Sequence, residues 1–438
     1  MMLRLFSALL LLPMILSAQP APQPLSAAEA VAIGLENSFG IRIARNNQAV
    51  ALHNQTPGRA GMLPRIDLSA SQNFASNNTR QQFFSGDERS AQGAQSQALN
   101  SGLQLSWTAF DGFAMFIRWD RFEALGEQAA LDLRVAVEQS ALSILLAYYN
   151  LVQQERRDSV LQNNLRLSEE RRTLARSRLQ VGAGSEQAYL QALVAFRADS
   201  ALLIGQEVAL AQARAELNRL MARDPQTPAV PARDIPLEAL PPLSELEARL
   251  AGQNPSLLRA RNSMAIAQLD TRLADSRRYP VLSFSSAMSF NRSANEVGVL
   301  QSNRSFGPSA GLALSFNLYD GGNLRHDRAI AHLQADNAQI SYEQLLLDLR
   351  SSLFQLYTAY EGAAQSIAIE SANLDIARRN LRIATETYRL GSIRDLEVRQ
   401  AQQDLLEAEN RQLDAQIRAR QTQLQILWLC SSLDLPGA

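Results

Sequence analysis

The chain has no lysine. All 42 of its basic residues are arginine, set against 43 acidic ones, and this removes the chemistries that need an amine: a phosphate-binding P-loop, a Schiff base, the strand lysine of kinases. Cysteine is nearly as scarce. The single Cys430 leaves no internal disulfide and no multi-cysteine metal centre. Of the three histidines, His53, His326 and His332, the last two are six apart, about 600° around a helix, so they share no face. No metal and no other cofactor is expected. A formal net charge of −1 gives no footprint for a nucleic-acid partner. Past the N-terminal segment no run of eighteen consecutive apolar residues occurs, so a membrane crossing would have to be made by strands. Nor does any nucleophile stand at a spacing from a base that marks a hydrolase, and no enzymatic activity is expected.

What is present is a duplication. Asp111, Tyr148 and Gly182 recur at Asp320, Tyr357 and Gly391, each 209 positions on, and Leu105/Leu314, Asn164/Asn373, Gln191/Gln400 and Leu220/Leu429 keep the same offset. Upstream, Pro64 and Pro280 match at an offset of 216, with Ala44-Arg45-Asn46 answering Ala260-Arg261-Asn262. The difference of seven places a length change between the two blocks.

From Asp111 to Gly182, and again from Asp320 to Gly391, about seventy residues run without proline. Apolar positions three or four apart (Leu125, Ala129, Leu133, Val137, Ala141, Leu145, Tyr148, Val152; then Leu345, Leu349, Leu353, Leu356, Tyr360, Ala364, Ile367) predict amphipathic helices. Seventy residues make roughly 105 Å of helix, thicker than any globular core, so the stripes must pack as a coiled coil or ring. Gly182 and Gly391 sit where a tight helix-helix turn needs a positive φ. The hairpins are expected over 112–221 and 321–430. Tyr148 and Tyr357 are expected to pack between helices. Asp111 and Asp320, which could pass for catalytic carboxylates, are read as helix N-caps at strand-to-helix corners.

Ser26 and Glu29 form a capping-box pattern for a helix to Asn37, and a second helix is expected from about 41 to 61. After each proline the apolar period falls to two: Ile66, Leu68, Ala70 and Phe74, then Leu282, Phe284, Met288 and Phe290, alternate with small polar residues. Strands are expected at about 65–76, 101–109, 281–290 and 309–319, with long polar external loops over Ser76–Asn100 and Asn291–Pro308. One apolar and one polar face is the pattern of a membrane barrel strand with a wet lumen. Four strands cannot close a barrel, and an open edge cannot exist in lipid. Three copies would supply 4 × 3 = 12 strands.

Residues 1–18 read as a secretory signal peptide, with Arg4, an apolar run from Leu5 to Leu16 and Ser17-Ala18 at the cleavage site. The rest divides into a first repeat at 19–224, a six-proline linker at 225–243 and a second repeat at 244–438.

This order of elements, with Trp107-Thr-Ala-Phe-Asp111-Gly112, Phe316-Asn-Leu-Tyr-Asp320-Gly321-Gly322, Arg178-Leu-Gln-Val-Gly182 and Tyr388-Arg-Leu-Gly391, resembles the TolC-like outer-membrane efflux proteins over essentially the whole mature chain. The resemblance implies a mainly α fold with a β-barrel portion: a homotrimeric 12-stranded barrel in outer-membrane lipid, continued by a periplasmic α-helical barrel. It implies a passive duct in a Gram-negative outer membrane, serving a tripartite efflux pump or type I secretion system with a periplasmic adaptor and an inner-membrane transporter. By position, it puts the adaptor contact at Arg178, Gly182, Ser185, Glu186, Gly391, Ser392, Arg394 and Asp395. The gate falls at Tyr388, Glu397 and Gln400. Gln400 is neutral where some relatives are acidic, and Ala188 stands where some carry an aspartate bonded to the tip tyrosine. A soluble periplasmic coiled-coil scaffold is the alternative, and it leaves the four alternating strands unexplained.

Overall fold

The computed structural model describes residues 24–434, so the signal peptide lies outside the described residues. Ser26 and Glu29 close their capping box and open α1 (Ala27–Asn37). The second helix is interrupted rather than continuous: α2 (Phe39–Asn54) ends, Thr56 caps a new start, and α3 (Pro57–Ala60) carries Pro57 in its first turn. Proline has no amide to give to the preceding turn, which makes it a natural first residue and an interruption elsewhere.

The strands β1 (Arg65–Gln82) and β2 (Glu88–Phe110) follow, then a 67-residue α4 (Ala114–Gln180) and a 35-residue α5 (Glu186–Leu220). After the proline-rich segment come α6 (Leu243–Gln253), α7 (Pro255–Ser276), β3 (Val281–Asn295), β4 (Ser302–Ser315), α8 (Asn323–Arg389) and α9 (Asp395–Leu429). Adding 209 to the four bounds of α4 and α5 (114, 180, 186, 220) gives 323, 389, 395 and 429, the bounds of α8 and α9. The two hairpins are one design used twice.

The long polar loops do not form. β1 and β2 stay paired out to Gln82 and Glu88, leaving a turn of five residues in which Gly86 takes φ +90°, and β3 and β4 are separated only by residues 296–301. Serine, asparagine and glutamine suggest a loop by composition, but in an antiparallel ladder the backbone groups facing the partner strand pair whatever the side chains are. At the other end β4 stops at Ser315 rather than running to 319. Its partner β3 begins at Val281 just after Pro280, and the Asn317 side chain takes the Tyr319 amide instead.

The strands form one antiparallel sheet in the order β1-β2-β3-β4, with β1 and β4 at its edges. Register puts Ile66 beside Leu105, Leu68 beside Leu103, Trp107 beside Phe284, Phe284 beside Leu312 and Phe290 beside Phe306, all on one face. The opposite face pairs Ser71 with Asn100, Gly102 with Ser289, Asn100 with Asn291 and Ser293 with Asn303. Within the single chain the apolar face is uncovered: Leu68, Leu312 and Phe306 are 77%, 72% and 69% exposed.

Helix length explains the remaining packing. Each 67-residue helix is about twice as long as its hairpin partner. α4 therefore packs on α5 over one part and on α2 and α7 over another, and α8 packs on α9 and α7. Near the turns α4 meets α9, so α5 and α8 lie on the outside of the four. α4 contains a stretch long and apolar enough to cross a membrane by composition, yet half of it is buried inside the chain. There Tyr148 and Tyr149 meet edge to face at 5.3 Å, fully buried. The Tyr148 hydroxyl donates to the Leu25 carbonyl at 2.9 Å and accepts the Ala232 amide at 3.0 Å, and burial pushes its pKa up to about 12. Together with the short parallel bridge between Leu25 and Pro231, this fastens the proline-rich segment across the first hairpin. Tyr360 and Gln423 both donate to the Glu238 carbonyl, fastening it to the second.

The strand-to-helix corners differ between the halves. Gly112 and Gly321 both have positive φ (+69° and +76°), but a Cβ on Gly112 would collide with the Ser276 carbonyl oxygen and approach Tyr279 Cβ to 2.7 Å, whereas the nearest atom to one on Gly321 is 4.0 Å away. Both substitutions by alanine lose about 1 to 2 kcal/mol to the left-handed backbone. Gly112→Ala should lose roughly 1 to 3 kcal/mol more from overpacking, so thermal melts are expected to rank it clearly below Gly321→Ala.

Candidate functional site

The two hairpin turns lie together at the end of the helices remote from the sheet. Each is closed in the same way. Gly182 (φ +73°) donates to Leu179 O at 3.1 Å and Ala183 to Arg178 O at 2.9 Å, while Gly391 (φ +82°) donates to Tyr388 O at 2.9 Å and Ser392 to Thr387 O at 3.1 Å. These paired bonds satisfy carbonyls that a helix end otherwise leaves open. The returning helices start differently. Ser185 accepts the Ala188 amide at 3.2 Å; at the equivalent Arg394, the Glu397 carboxylate reaches back to accept the Arg394 amide at 3.2 Å.

The turns are joined by Arg178. Its guanidinium lies 4.3 Å from the centre of the Tyr388 ring and donates to Tyr388 O at 2.6 Å and Arg389 O at 3.2 Å. A cation placed over an aromatic face and at the carbonyl end of α8 gains from both the ring and the helix dipole. Tyr388 is buried in this contact, and burial, reinforced by Asp395, holds its phenol above the ordinary range.

Asp395 does not lie on the surface where an adaptor contact was expected. It is 8% exposed, its Oδ1 3.2 Å from Nε of Arg171, itself only 5% exposed. The two atoms close no hydrogen bond at that angle, so the attraction is coulombic. Arg171 also donates to Gln402 Oε1 at 3.1 Å, and Gln402 Nε2 donates to the Asn164 carbonyl, the Asn164 side chain and Ser168 Oγ at 2.9, 2.8 and 2.8 Å. Ser168 bonds Asp199, which Arg399 grips with two nitrogens at 2.8 and 3.3 Å. Five buried polar residues of α4 and α9, together with Asp199 of α5 and its clamp Arg399, thus form one polar network.

Sequence reasoning missed this network. A usable signal was present in the duplication: Asp199, Arg399 and Gln402 align, at 209, with Ala408, Leu190 and Leu193. A polar side chain on a core stripe whose duplicate is apolar marks a place that packing alone does not explain. Beside the network a groove of about 650 Å³ opens between the hairpins, lined by Leu167, Leu174, Leu381, Thr385, Tyr388 and Val398 among others.

Of the remaining expected residues, Gly182, Ser185, Glu186, Gly391, Ser392 and Arg394 are exposed at the turns, and Glu397 and Gln400 are exposed on α9. Gln400 donates to Asp404 at 2.8 Å. Asp111 and Asp320 lie at the far end, each two residues ahead of the cap position, which Phe113 and Gly322 occupy in left-handed conformation. Their carboxylates still serve first-turn amides. Asp111 takes Met115 N at 3.0 Å and Asp320 takes Leu324 N at 2.8 Å. Two glycine-containing corners bend the chain so sharply that the acceptor comes from further upstream than an ordinary N-cap.

The chain is a twice-used unit of paired strands and long helical hairpins, with an exposed apolar sheet face at one end and tied turns at the other. The outer membrane efflux protein family matches residues 33–223 and 248–429, most of the chain, and the chain belongs to that family. It is similar in fold to the Campylobacter jejuni CmeC outer membrane channel (TM-score 0.79, 16% identity, 93% of this chain and 85% of that one). It is likewise similar to the outer-membrane channel OprN (0.76, 20%, 93% and 90%) and to the open state of the Neisseria gonorrhoeae MtrE outer membrane channel (0.72, 20%, 93% and 88%). Nodulation protein T of Rhizobium leguminosarum bv. trifolii is 24% identical over 162 residues, which take in 36% of this chain and 34% of that protein.

Two expectations follow for the tip. Asp199→Leu strands Arg399 and removes the acceptor of the Ser168 hydroxyl, and loss of one member of a buried pair costs about 3 to 5 kcal/mol, read as a lower melting temperature and faster amide exchange in α5 and α9. Burial raises the Asp395 pKa above its ordinary 3.8 against the pull of Arg171. The folded tip therefore binds this proton more tightly than the unfolded chain, and the contribution is full below 3.8 and lost as pH rises through the folded value. Melts of the wild type minus those of Asp395→Asn should fall over that interval.

Proposed function

We propose that the chain is one protomer of a homotrimeric outer-membrane duct, through which cargo leaves the cell when a periplasmic adaptor and an inner-membrane transporter engage its helical tip. The observation that carries the reading is the sheet: four strands, two open edges, one apolar face and one lined by serine, asparagine, glycine and glutamine. Hydrocarbon tolerates no unpaired strand edge. Joining β4 of each copy to β1 of the next closes 4 × 3 = 12 strands with the polar face inward.

The helices support the same closure. On α8, Leu333, Ile340, Leu347 and Phe354 recur every seven residues, and Ile369, Ile376, Ile383 and then Leu390, just past its end, resume the interval; all eight are between 59% and 82% exposed. On α5, Leu190, Val194, Ile204 and Val208 are 49% to 68% exposed. A seven-residue apolar repeat is a coiled-coil seam, and here its partner has to be another chain. Since α5 and α8 are the outer helices, α8 of one copy would meet α5 of the next.

In such a ring the exposed Glu397 and Gln400 of each copy would line the narrow end, giving a cation-favouring constriction of three carboxylates. The exposed turn residues, Gly182, Ser185, Glu186, Gly391, Ser392 and Arg394, would meet the adaptor. Arg178 and Tyr388 would act from behind, by holding the two turns together. Opening is a change of packing at the tip, driven by whatever binding energy the partner has for the open arrangement over the closed one. A tripartite efflux pump and a type I secretion system use a duct of this kind alike. A soluble scaffold would leave the exposed apolar face of the sheet in water, against the tendency of such patches to be covered.

The test is recovery of the full-length protein in the outer-membrane fraction, followed by the native mass of the detergent-extracted species. Three copies are expected, and Leu347→Glu with Phe354→Glu should convert them to monomer. A detergent-independent soluble monomer would overturn the reading.

A further inference from the structure

The apolar face of the sheet ends on a pair of arginines. Along β3 and β4 its rows are Leu282/Leu314, Phe284/Leu312, Ser286/Ala310, Met288/Pro308 and Phe290/Phe306, and the next row is Arg292/Arg304. The ten steps from Leu282 to Arg292 span roughly 33 Å along a strand, or about 25 Å across a membrane at the usual barrel tilt, the height of an outer-membrane apolar band. The arginines therefore stand at the edge of the band remote from the helices. Both are exposed.

Two like charges directly opposite each other across a ladder repel, so a compensating anion is needed. The sheet does not hold one. Its four strands contain two carboxylates, Asp67 and Glu88, and each is already paired, with Arg65 at 2.9 Å and with Arg80 respectively. Asp67 also sits at the opposite end of β1, on the polar face. In the turns, Glu296 accepts the Gln95 amide at 2.7 Å and Asp87 accepts from Ser85 at 2.9 Å. A neighbouring copy would bring β1 against β4, and β1 offers only that same Asp67. Among the described residues neither Arg292 nor Arg304 is paired with a carboxylate.

Nor does the fold need the pair. Arg292 aligns at 216 with Ser76, and Arg304 aligns at 209 with Gln95; Ser76 and Gln95 are themselves directly opposite in the first strand pair. The same position in the same register is neutral in one half and doubly cationic in the other. Arg304 further lies over the Phe290 ring at 5.3 Å, which holds its guanidinium at the rim of the apolar band.

We propose that Arg292 and Arg304 form a binding site for the phosphorylated headgroup of an outer-leaflet lipid, whose acyl chains lie along the Phe290, Phe306 and Met288 surface. The guanidinium fork suits phosphate oxygens, and the apolar rows beneath suit the chains. The proposal rests on the membrane-barrel reading above.

The test uses the intact protein and a double variant, Arg292→Ser with Arg304→Gln, which installs the residues that the other half already carries at this place. Both proteins are first recovered from the membrane fraction; absence of both from it would overturn the barrel reading and this site with it. Native mass spectra are then recorded with lipid A. The wild type should retain lipid A with an affinity at least roughly tenfold above the variant. Dephosphorylated lipid A should bind the wild type no better than the variant binds lipid A, and excess inorganic phosphate should leave the bound lipid in place. Equal retention by membrane-recovered wild type and variant, or equal binding of the dephosphorylated lipid, would overturn the arginine site alone. Displacement by inorganic phosphate would overturn the lipid as its occupant.

Discussion

A strand edge has amide and carbonyl groups that must be paired, and in hydrocarbon only another strand can pair them. The whole chain is arranged around two such edges, on β1 and β4, that it cannot satisfy alone. The sheet faces follow from it: one side takes leucine and phenylalanine, the other small polar residues, because a closed barrel has an outside and an inside. The helices follow as well. A seam of exposed leucine and isoleucine every seven residues on α8 is the same incompleteness, expressed in side chains instead of backbone.

Duplication is how one chain builds half of each requirement twice. Strand register and helix bounds repeat at offsets of 216 and 209, so the backbone is close to a copy. Apart from side chains, the halves differ in a β-hairpin seven residues shorter in the second and in the break between α2 and α3 that α7 lacks. The differences fall where the copies meet different surroundings. Gly112 is wedged against Ser276 and Tyr279 while Gly321 is open; Ser185 caps one returning helix and Glu397 the other. In the proposed ring of six hairpins the two kinds would alternate, and residues such as Asp199 and Arg399 could serve one kind of junction without serving the other.

Much of this was legible in the residues. Period, proline spacing and the two glycines located the hairpins, since helical stripes and left-handed turns leave direct marks in sequence. Strand ends were not legible. Asn77, Asn78, Gln81 and Gln82 carry a loop's composition, and only the ladder opposite, from Glu88 onward, makes them strand. The break at Thr56-Pro57 was hidden because the second copy, α7, runs through unbroken. The tip was half legible: Tyr388 and Arg178 stood out by position, but their stacking, and the burial of Asp395, depend on α4 meeting the second hairpin, a contact between residues more than 200 apart.

That contact also shows why the tip is tied by polar groups while the rest of the hairpins is packed by apolar ones. An apolar seam is insensitive to small sliding, because hydrophobic burial has no direction. A buried ion pair is the reverse: it adds little net stability, since desolvation offsets much of the attraction, but it penalises strongly any arrangement that separates the partners. Arg171 with Asp395, and Arg399 with Asp199, therefore select one packing of α4, α5 and α9 without deepening its well very much. If a partner releases the tip as proposed, a lock that is specific and shallow suits that role better than one that is deep. Around Tyr148 the same hairpins are packed chiefly by tyrosine, leucine, valine, isoleucine and alanine.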